Sequence, residues 1–245
     1  MKQAPWLLVR PGELAAGSVV KLEPAEGRHA TGALRLAPGR EVVLIDGAGG
    51  VGSGVLTLAR RGRAEVAVGH VDRVPAPVSG LTLAMAVLAG GAMDLVVQKA
   101  VELGVRRFEP VCCDRSQFGL ERAGRRTDHW TRLAMQALKQ CRRAWAMEIA
   151  APKTLADLVA STESSRGVVA DADGDRVNAF EPTSADPVLL VGPEGGFSPE
   201  EISAIEAAGW PRICLGPHVL RAETAAIAGA AVVAASMTDG SELHS

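Results

Sequence analysis

Apolar and polar positions along this chain fall into two regimes. Up to residue 73 the apolar residues come in short β-rich runs, Val19-Val20-Lys21-Leu22, 41–45, 54–58 and 65–68, separated by Gly, Pro and Asp. That pattern predicts an all-β unit, a small barrel or sandwich, over residues 1–73. Pro75-Ala76-Pro77-Val78-Ser79-Gly80 cannot continue a sheet, so 74–80 reads as a linker. Beyond it, strands and helices alternate. Residues 81–88 are a buried-strand candidate, and 93–103 carry apolar residues at 93, 96, 97, 100, 101 and 103, a helical stripe closed by Gly104. Phe108-Glu109-Pro110-Val111 resumes an extended run. Asp128 caps a second helix with Trp130, Leu133, Ala134, Ala137 and Cys141 on its apolar face, which turns Arg132, Lys139, Arg142 and Arg143 toward solvent or a partner. Strands follow at 167–170 and 188–191, with polar connections at 161–165 and 171–187. An α/β domain over 81–237 and a frayed tail over 238–245 complete the expected organisation.

Two apolar runs in the last third, Val188–Val191 and Ile213–Leu215, each lead into a Gly-Pro loop and then a helix: Gly192-Pro193-Glu194-Gly195-Gly196-Phe197-Ser198 and Gly216-Pro217-His218-Val219-Leu220-Arg221-Ala222-Glu223-Thr224. Open α/β strands place their carboxyl ends at a crevice that holds ligands, so these loops are the expected site. A phosphate loop would end in Lys beside Ser or Thr; the charged residue inside the first loop is Glu194, which favours a cationic or neutral ligand. Ser198-Pro199-Glu200-Glu201 reads as an N-cap, a proline at the first helical position and a capping-box glutamate, with the helix ending at Gly209. Gly47-Ala48-Gly49-Gly50-Val51-Gly52 also fits a dinucleotide fingerprint, G-x-G-x-x-G. A fingerprint must open a helix, whereas a strand-like run follows here, so 46–54 is read as a hairpin loop.

Composition narrows the class further. The chain has 245 residues, 47% of them hydrophobic, enough for a full core and two domains. Its four cysteines, Cys112, Cys113, Cys141 and Cys214, form no CxxC or Cys/His pattern, so no metal is expected and a reducing cytoplasm is. The apolar start Trp6-Leu7-Leu8-Val9 is too short for a signal sequence, and no run approaches a membrane span. Net charge is −2 but uneven: ten Arg/Lys against four acids over 106–143, and twelve acids against three arginines from Asp171 onward. The basic segment is the candidate for a phosphate backbone. With four Phe, four Trp and no Tyr, stacking cannot dominate an RNA grip, so salt-sensitive binding is expected.

The motifs together resemble one family, the 16S ribosomal RNA uridine-N3 methyltransferases of the SPOUT (trefoil-knot) superfamily. The resemblance rests on residues 189–196 and 215–224 and on Gln98-Lys99-Ala100-Val101-Glu102-Leu103-Gly104-Val105. Asp114-Arg115-Ser116, Gln140-Cys141-Arg142-Arg143, His29 and Leu34-Arg35-Leu36 give weaker support. It implies an N-terminal PUA-like β-barrel, a C-terminal knotted α/β methyltransferase domain, a homodimer, and S-adenosylmethionine as cofactor. The implied substrate is 16S ribosomal RNA or the small ribosomal subunit. By motif position, Val191, Gly192, Gly196, Leu215, Gly216 and Leu220 would hold the cofactor, Arg221 and Glu194 would serve the reacting centre, and His29, Arg35, Arg115, Arg125, Gln140 and Arg143 would contact RNA, with Arg122 and Arg126 adding phosphate contacts. The chain departs from the family pattern at Ala92, where a Lys is usual before the first helix's Met, at Lys139, usually acidic, and at His218, usually Arg. These departures motivate one alternative, a catalytically silent RNA-binding module; the others are ribose 2′-O methylation, from the same superfamily, and an oxidoreductase built on 47–52.

Overall fold

The computed structural model describes residues 4–60, 62–176 and 184–237; the expected tail over 238–245 lies outside them. The chain divides into two compact units, one holding the described residues up to Pro77 together with Met135–Ala146, the other Val78–Ala134 and the described residues from Met147 on.

The first unit is a five-stranded sheet: β1 (Trp6–Leu8), β2 (Val19–Lys21), β3 (Glu41–Ile45), β4 (Gly50–Arg60) and β5 (Arg63–Arg73), in the order β1-β3-β4-β5-β2. Among the described residues no pairing joins the outer strands β1 and β2. Inward alternation of Val42, Leu44, Leu56, Val66 and Val68 builds its core with Leu7. The apolar start is thus a strand, parallel to β3, and β4 and β5 run well past the apolar runs that announce them. A short helix α1 (Pro24–Arg28) continues as a π-helical turn over His29–Ala33. Residues 46–50 form the tight β3–β4 connection. Asp46, fully buried, accepts the Ala48 and Gly50 N–H groups at 2.8 Å and the Arg73 guanidinium at 3.0 Å. Because a strand follows these glycines, the oxidoreductase alternative has no structural basis. Residues 144–146 pack on the same loop: Ala146 N–H donates to the Gly47 carbonyl, Gly49 N–H to Ala144, and the Trp145 indole to Val74.

In the second unit seven strands lie in one parallel sheet, β6 (Thr82–Ala86), β7 (Arg107–Cys112), β8 (Glu148–Ile149), β9 (Lys153–Thr154), β10 (Gly167–Arg176), β11 (Val188–Val191) and β12 (Arg212–Cys214). Their order is β12-β10-β11-β6-β7-β8, with β9 also on β7. Every residue of β6 and β11 is buried, as parallel strands covered on both faces require. The helices are α2 (Ala92–Glu102), α3 (Leu120–Gly124), α4 (Thr127–Cys141), whose residues from Met135 on belong to the first unit, α5 (Leu155–Ser161), α6 (Pro199–Ala207) and α7 (Ala222–Met237). Helix α4 starts one residue earlier than expected, leaving Asp128 in its first turn rather than at the cap, and it buries Trp130, Ala134, Ala137 and Leu138. Strand β10 extends past Ala170 to Arg176, so part of the expected 171–187 connection is strand, its pairing with β12 interrupted by an irregularity between Ala170 and Asp175.

Candidate active site

The carboxyl ends of β11 and β12 and the middle of β10 open on a cavity of about 590 Å³. Val191, Gly192, Gly196, Leu215, Gly216 and Leu220 all line it, as do Glu194, Arg221 and His218. A third contribution comes from Asp171 and Asp173 on β10, with Arg212 and Cys214 from β12. Sequence reasoning missed this third side, although the same strand-end rule applied to the run at 167–170 would have pointed to the residues just after it.

Each loop is held by its own local chemistry. In the first, Gly196 N–H donates to the Pro193 carbonyl at 2.9 Å, and Gly192 lies so close to the Phe197 ring that a Cβ there would come within 2.9 Å of it. Ser198 then caps α6: its hydroxyl accepts from Glu201 N–H at 3.2 Å, and the Glu201 carboxylate accepts Ser198 N–H at 2.9 Å. That reciprocal pair is the capping box read from the sequence. In the second loop the Cys214 thiol donates to the Gly216 carbonyl at 3.0 Å, and Ala225 N–H donates to the Arg221 carbonyl at 2.8 Å, so Arg221 stands where α7 begins. Its side chain is exposed, and among the described residues no ion pair joins it to Glu223.

The lining is chemically mixed. Asp171 accepts the Arg212 guanidinium at 3.2 Å and Asp173 N–H at 2.9 Å, which leaves Asp173 and Glu194 as the other carboxylates of the cavity. Of the two arginines in the lining, Arg212 is paired with Asp171, and the glycine loops carry no lysine beside a Ser or Thr as a phosphate loop would. The volume lies within the roughly 300–1,000 Å³ of small-molecule sites. At Gly216 a Cβ would meet no atom within 4 Å, so the backbone there faces open space. Three carboxylates, one of them paired with Arg212, favour a positively charged ligand.

The residues expected to contact RNA divide between the units. In the second unit, Arg115 donates to the Gly195 carbonyl at 2.8 Å and Arg125 pairs with Glu121. In the first, His29 is half-buried at the start of the π-helical turn, and Arg35 is exposed with a left-handed φ of 50°. Gln140 is exposed, while burial pushes the half-buried Arg143 guanidinium below its ordinary pKa, with Cys141 nearby acting the other way. The charge count over 106–143 overstated the free positive charge. Arg106, Arg107, Arg126 and Lys139 pair with Asp186, Glu148, Asp94 and Glu26, acids from outside that segment. Lys139, expected to face solvent or a partner, is 13% exposed and bound to a Glu26 carboxylate that is 10% exposed. Glu26 also accepts Leu8 N–H at 3.2 Å.

Comparison with known proteins decides the family. A family model described as an RNA methyltransferase domain matches residues 75–234. A curated relative from Synechocystis, ribosomal RNA small subunit methyltransferase E, is 30% identical over 228 residues, 89% of this chain and 73% of that one. The chain belongs to the ribosomal RNA small subunit methyltransferase E family. A relative of the same name from Mycobacterium bovis is 30% identical over 237 residues and covers 92% of this chain and 90% of its own. Among solved structures, a methyltransferase from Legionella pneumophila in complex with S-adenosylmethionine superimposes with a TM-score of 0.88 at 28% identity, covering 96% of this chain and 98% of that one. The family member from Neisseria gonorrhoeae, also bound to S-adenosylmethionine, gives a TM-score of 0.84 at 28% identity, covering 94% and 96%. The SPOUT-type α/β methyltransferase fold implied by the resemblance is therefore the fold of the second unit. Among the described residues no helix is long and apolar enough to cross a membrane.

Proposed function

We propose that the protein transfers the methyl group of S-adenosylmethionine to N3 of a uridine in 16S ribosomal RNA, in the cytoplasm and as a homodimer. The observation that carries this reading is the cavity where both glycine-proline loops meet Ala170–Asp173 of β10, in a chain of this family. When bound, the cofactor supplies a methyl group made electrophilic by its sulfonium sulfur. The backbone of Val191, Gly192, Gly196, Leu215, Gly216 and Leu220 holds and orients it, and the carboxylates of Glu194 and Asp173 favour its positive charge. Orientation is a large share of the task, since a direct displacement needs no covalent intermediate on the protein.

The target N3 carries a proton that must leave. Arg221, exposed at the start of α7 on the cavity, donates to the uracil oxygens and stabilises the charge that develops on the ring. Glu194, on the facing loop, accepts the proton or keeps the sulfonium in register. The uridine is turned out of its surroundings to reach this cavity. His29, Arg35, Arg125, Gln140 and Arg143, with Arg122, grip the RNA, chiefly through phosphates. The reading also includes the trefoil knot and the PUA-like barrel of the resemblance, the latter supported by the five-stranded sheet of the first unit.

The homodimer is supported by α7. Between Glu223 and Met237 it carries no charge, and it buries Ala226, Gly229, Ala230 and Val233 while leaving Val232 36% exposed. Leu95 of α2, the helix packed against α7, is 42% exposed. A helix apolar all round is buried on all sides, and a second copy of the chain supplies the missing cover.

The decisive experiment is mass spectrometry of nucleosides from small-subunit RNA incubated with the protein and S-adenosylmethionine. The expected product is 3-methyluridine. A ribose-methylated nucleoside sinks the N3 assignment, and cofactor binding without transfer identifies a silent RNA-binding module. Arg221→Ala is expected to slow transfer by about 10²–10³-fold, the usual loss of one transition-state donor, with cofactor affinity unchanged.

A further inference from the structure

The segment after β7 meets the first cavity loop at several points. Asp114 N–H donates to Glu201 Oε1 at 2.9 Å, and the Ser198 hydroxyl donates to Asp114 Oδ2 at 2.6 Å. Cys113 N–H donates to the Ser116 hydroxyl at 3.0 Å, which folds the segment into a tight turn. Ser198 and Glu201 are both buried, and Asp114 bonds to both, so the base of this turn is fixed to the start of α6. From that base two side chains reach the tip of the cavity loop. Arg115 donates to the Gly195 carbonyl at 2.8 Å, and Gln117 approaches Glu194 Oε2 at 3.5 Å. The Arg115 stem lies over Gly195, its Cβ 3.5 Å and its Cδ 3.6 Å from where a Cβ of Gly195 would stand.

We propose that Arg115 is a positioning residue for the cofactor loop, fixing the Gly195 carbonyl and so the Gly195–Gly196 tip, rather than a contact for RNA. The physical need is plain. Two successive glycines, the second at φ +69°, have the widest conformational freedom of any dipeptide, and the internal brace of the tip is the Gly196-to-Pro193 bond. A cavity side that must hold one shape before its ligand arrives gains affinity from any contact that removes that freedom in advance. A guanidinium is suited to the task, because it is always charged and keeps a planar donor set while its stem covers the glycine. Gln117 acts in the same direction on Glu194, the carboxylate assigned to the sulfonium. The assignment rests on the reading of the cavity as the S-adenosylmethionine site.

The test is calorimetry with S-adenosylmethionine and steady-state kinetics on the full chain. For Arg115→Ala the expected result is a cofactor Kd and KM raised about tenfold, kcat at saturating cofactor within twofold of wild type, and affinity for small-subunit ribosomal RNA within twofold at every salt concentration. Arg115→Lys, which keeps one donor on a long stem, is expected to recover most of the lost cofactor affinity. A variant that loses RNA affinity, with a shallower salt dependence and an unchanged cofactor Kd, overturns the proposal and returns Arg115 to the RNA surface. An alanine variant unchanged in both respects overturns it as well. A wild-type chain that takes up no S-adenosylmethionine overturns the cavity reading itself, and this assignment with it.

Discussion

Two loops that each open on a glycine after a strand do opposite things in this protein. The loop at 47–50 joins β3 to β4 and is filled by the protein itself: a Cβ on Gly49 would lie 2.6 Å from the Trp145 ring and from the Val74 carbonyl oxygen, and one on Gly50 would lie 2.5 Å from the Asp46 carboxylate. The loop at 216–221 joins β12 to α7 and is filled by nothing of its own, since a Cβ on Gly216 meets no atom within 4 Å. Missing side chains therefore make room either for the protein's own atoms or for a guest. The element that follows separates the two cases. A strand returns the chain along its own sheet and closes the gap, whereas a helix turns away from the carboxyl edge and leaves it open.

The sharpest way to break this comparison is to add a methyl group to the filled loop. Gly49 has a φ of +87°, so Gly49→Ala combines backbone strain with a steric clash and is expected to cost about 3 kcal/mol or more in chemical denaturation. Cofactor affinity of the remaining folded protein should stay at the wild-type value. A stable Gly49→Ala protein would mean that the loop has slack and that the two loops differ less than they look.

The converse change is to fill the open loop. Gly216→Val adds bulk to open space, so the melting temperature is expected to move by no more than a few degrees while S-adenosylmethionine affinity falls about 100-fold, near 2.7 kcal/mol. Unaltered binding by calorimetry would put the ligand somewhere else.

The smallest expected effect concerns the carboxylate under the filled loop. Burial alone would raise the Asp46 pKa, but the Ala48 and Gly50 N–H groups and the Arg73 guanidinium outweigh it and hold the group below its ordinary value. A carboxylate depressed in this way stabilises the fold in full above the unfolded-state pKa near 3.8, and that stability is lost as pH falls through the folded-state value. Asp46→Asn is expected to cost about 1–3 kcal/mol at neutral pH and to flatten the acid limb of the stability curve. A variant with the wild-type acid limb would remove Asp46 from that role.

Much of the second unit was legible because its signals are local. Continuous apolar runs marked β6 and β11, the stripe from 93 to 103 marked α2, and Ser198 with Glu201 carried their own start signal. What stayed hidden depends on partners far along the chain. Nothing near Ser198 or Glu201 announces Asp114, which adds a second task to two residues that read simply as a cap. The charges at 106, 107, 126 and 139 look free until distant acids reach them. Length was hidden too. Strands β4, β5 and β10 continue through polar and glycine residues because neighbouring strands supply their hydrogen bonds, and no apolar pattern records that. In the site, the residues of the two Gly-Pro loops were legible as a crevice, while Asp171, Asp173 and Arg212 were not, since their segment read as a polar connection.

The uniform direction of the strands in the second sheet has a consequence for how such a protein can change. The outgoing turns gather on one rim, above a floor of enclosed, mostly apolar residues of which only Val191, at the end of β11, reaches the cavity. Residues on that rim, His218 among them, can be exchanged one at a time to suit a new target while the floor keeps the molecule folded, so novelty and durability are assigned to different layers.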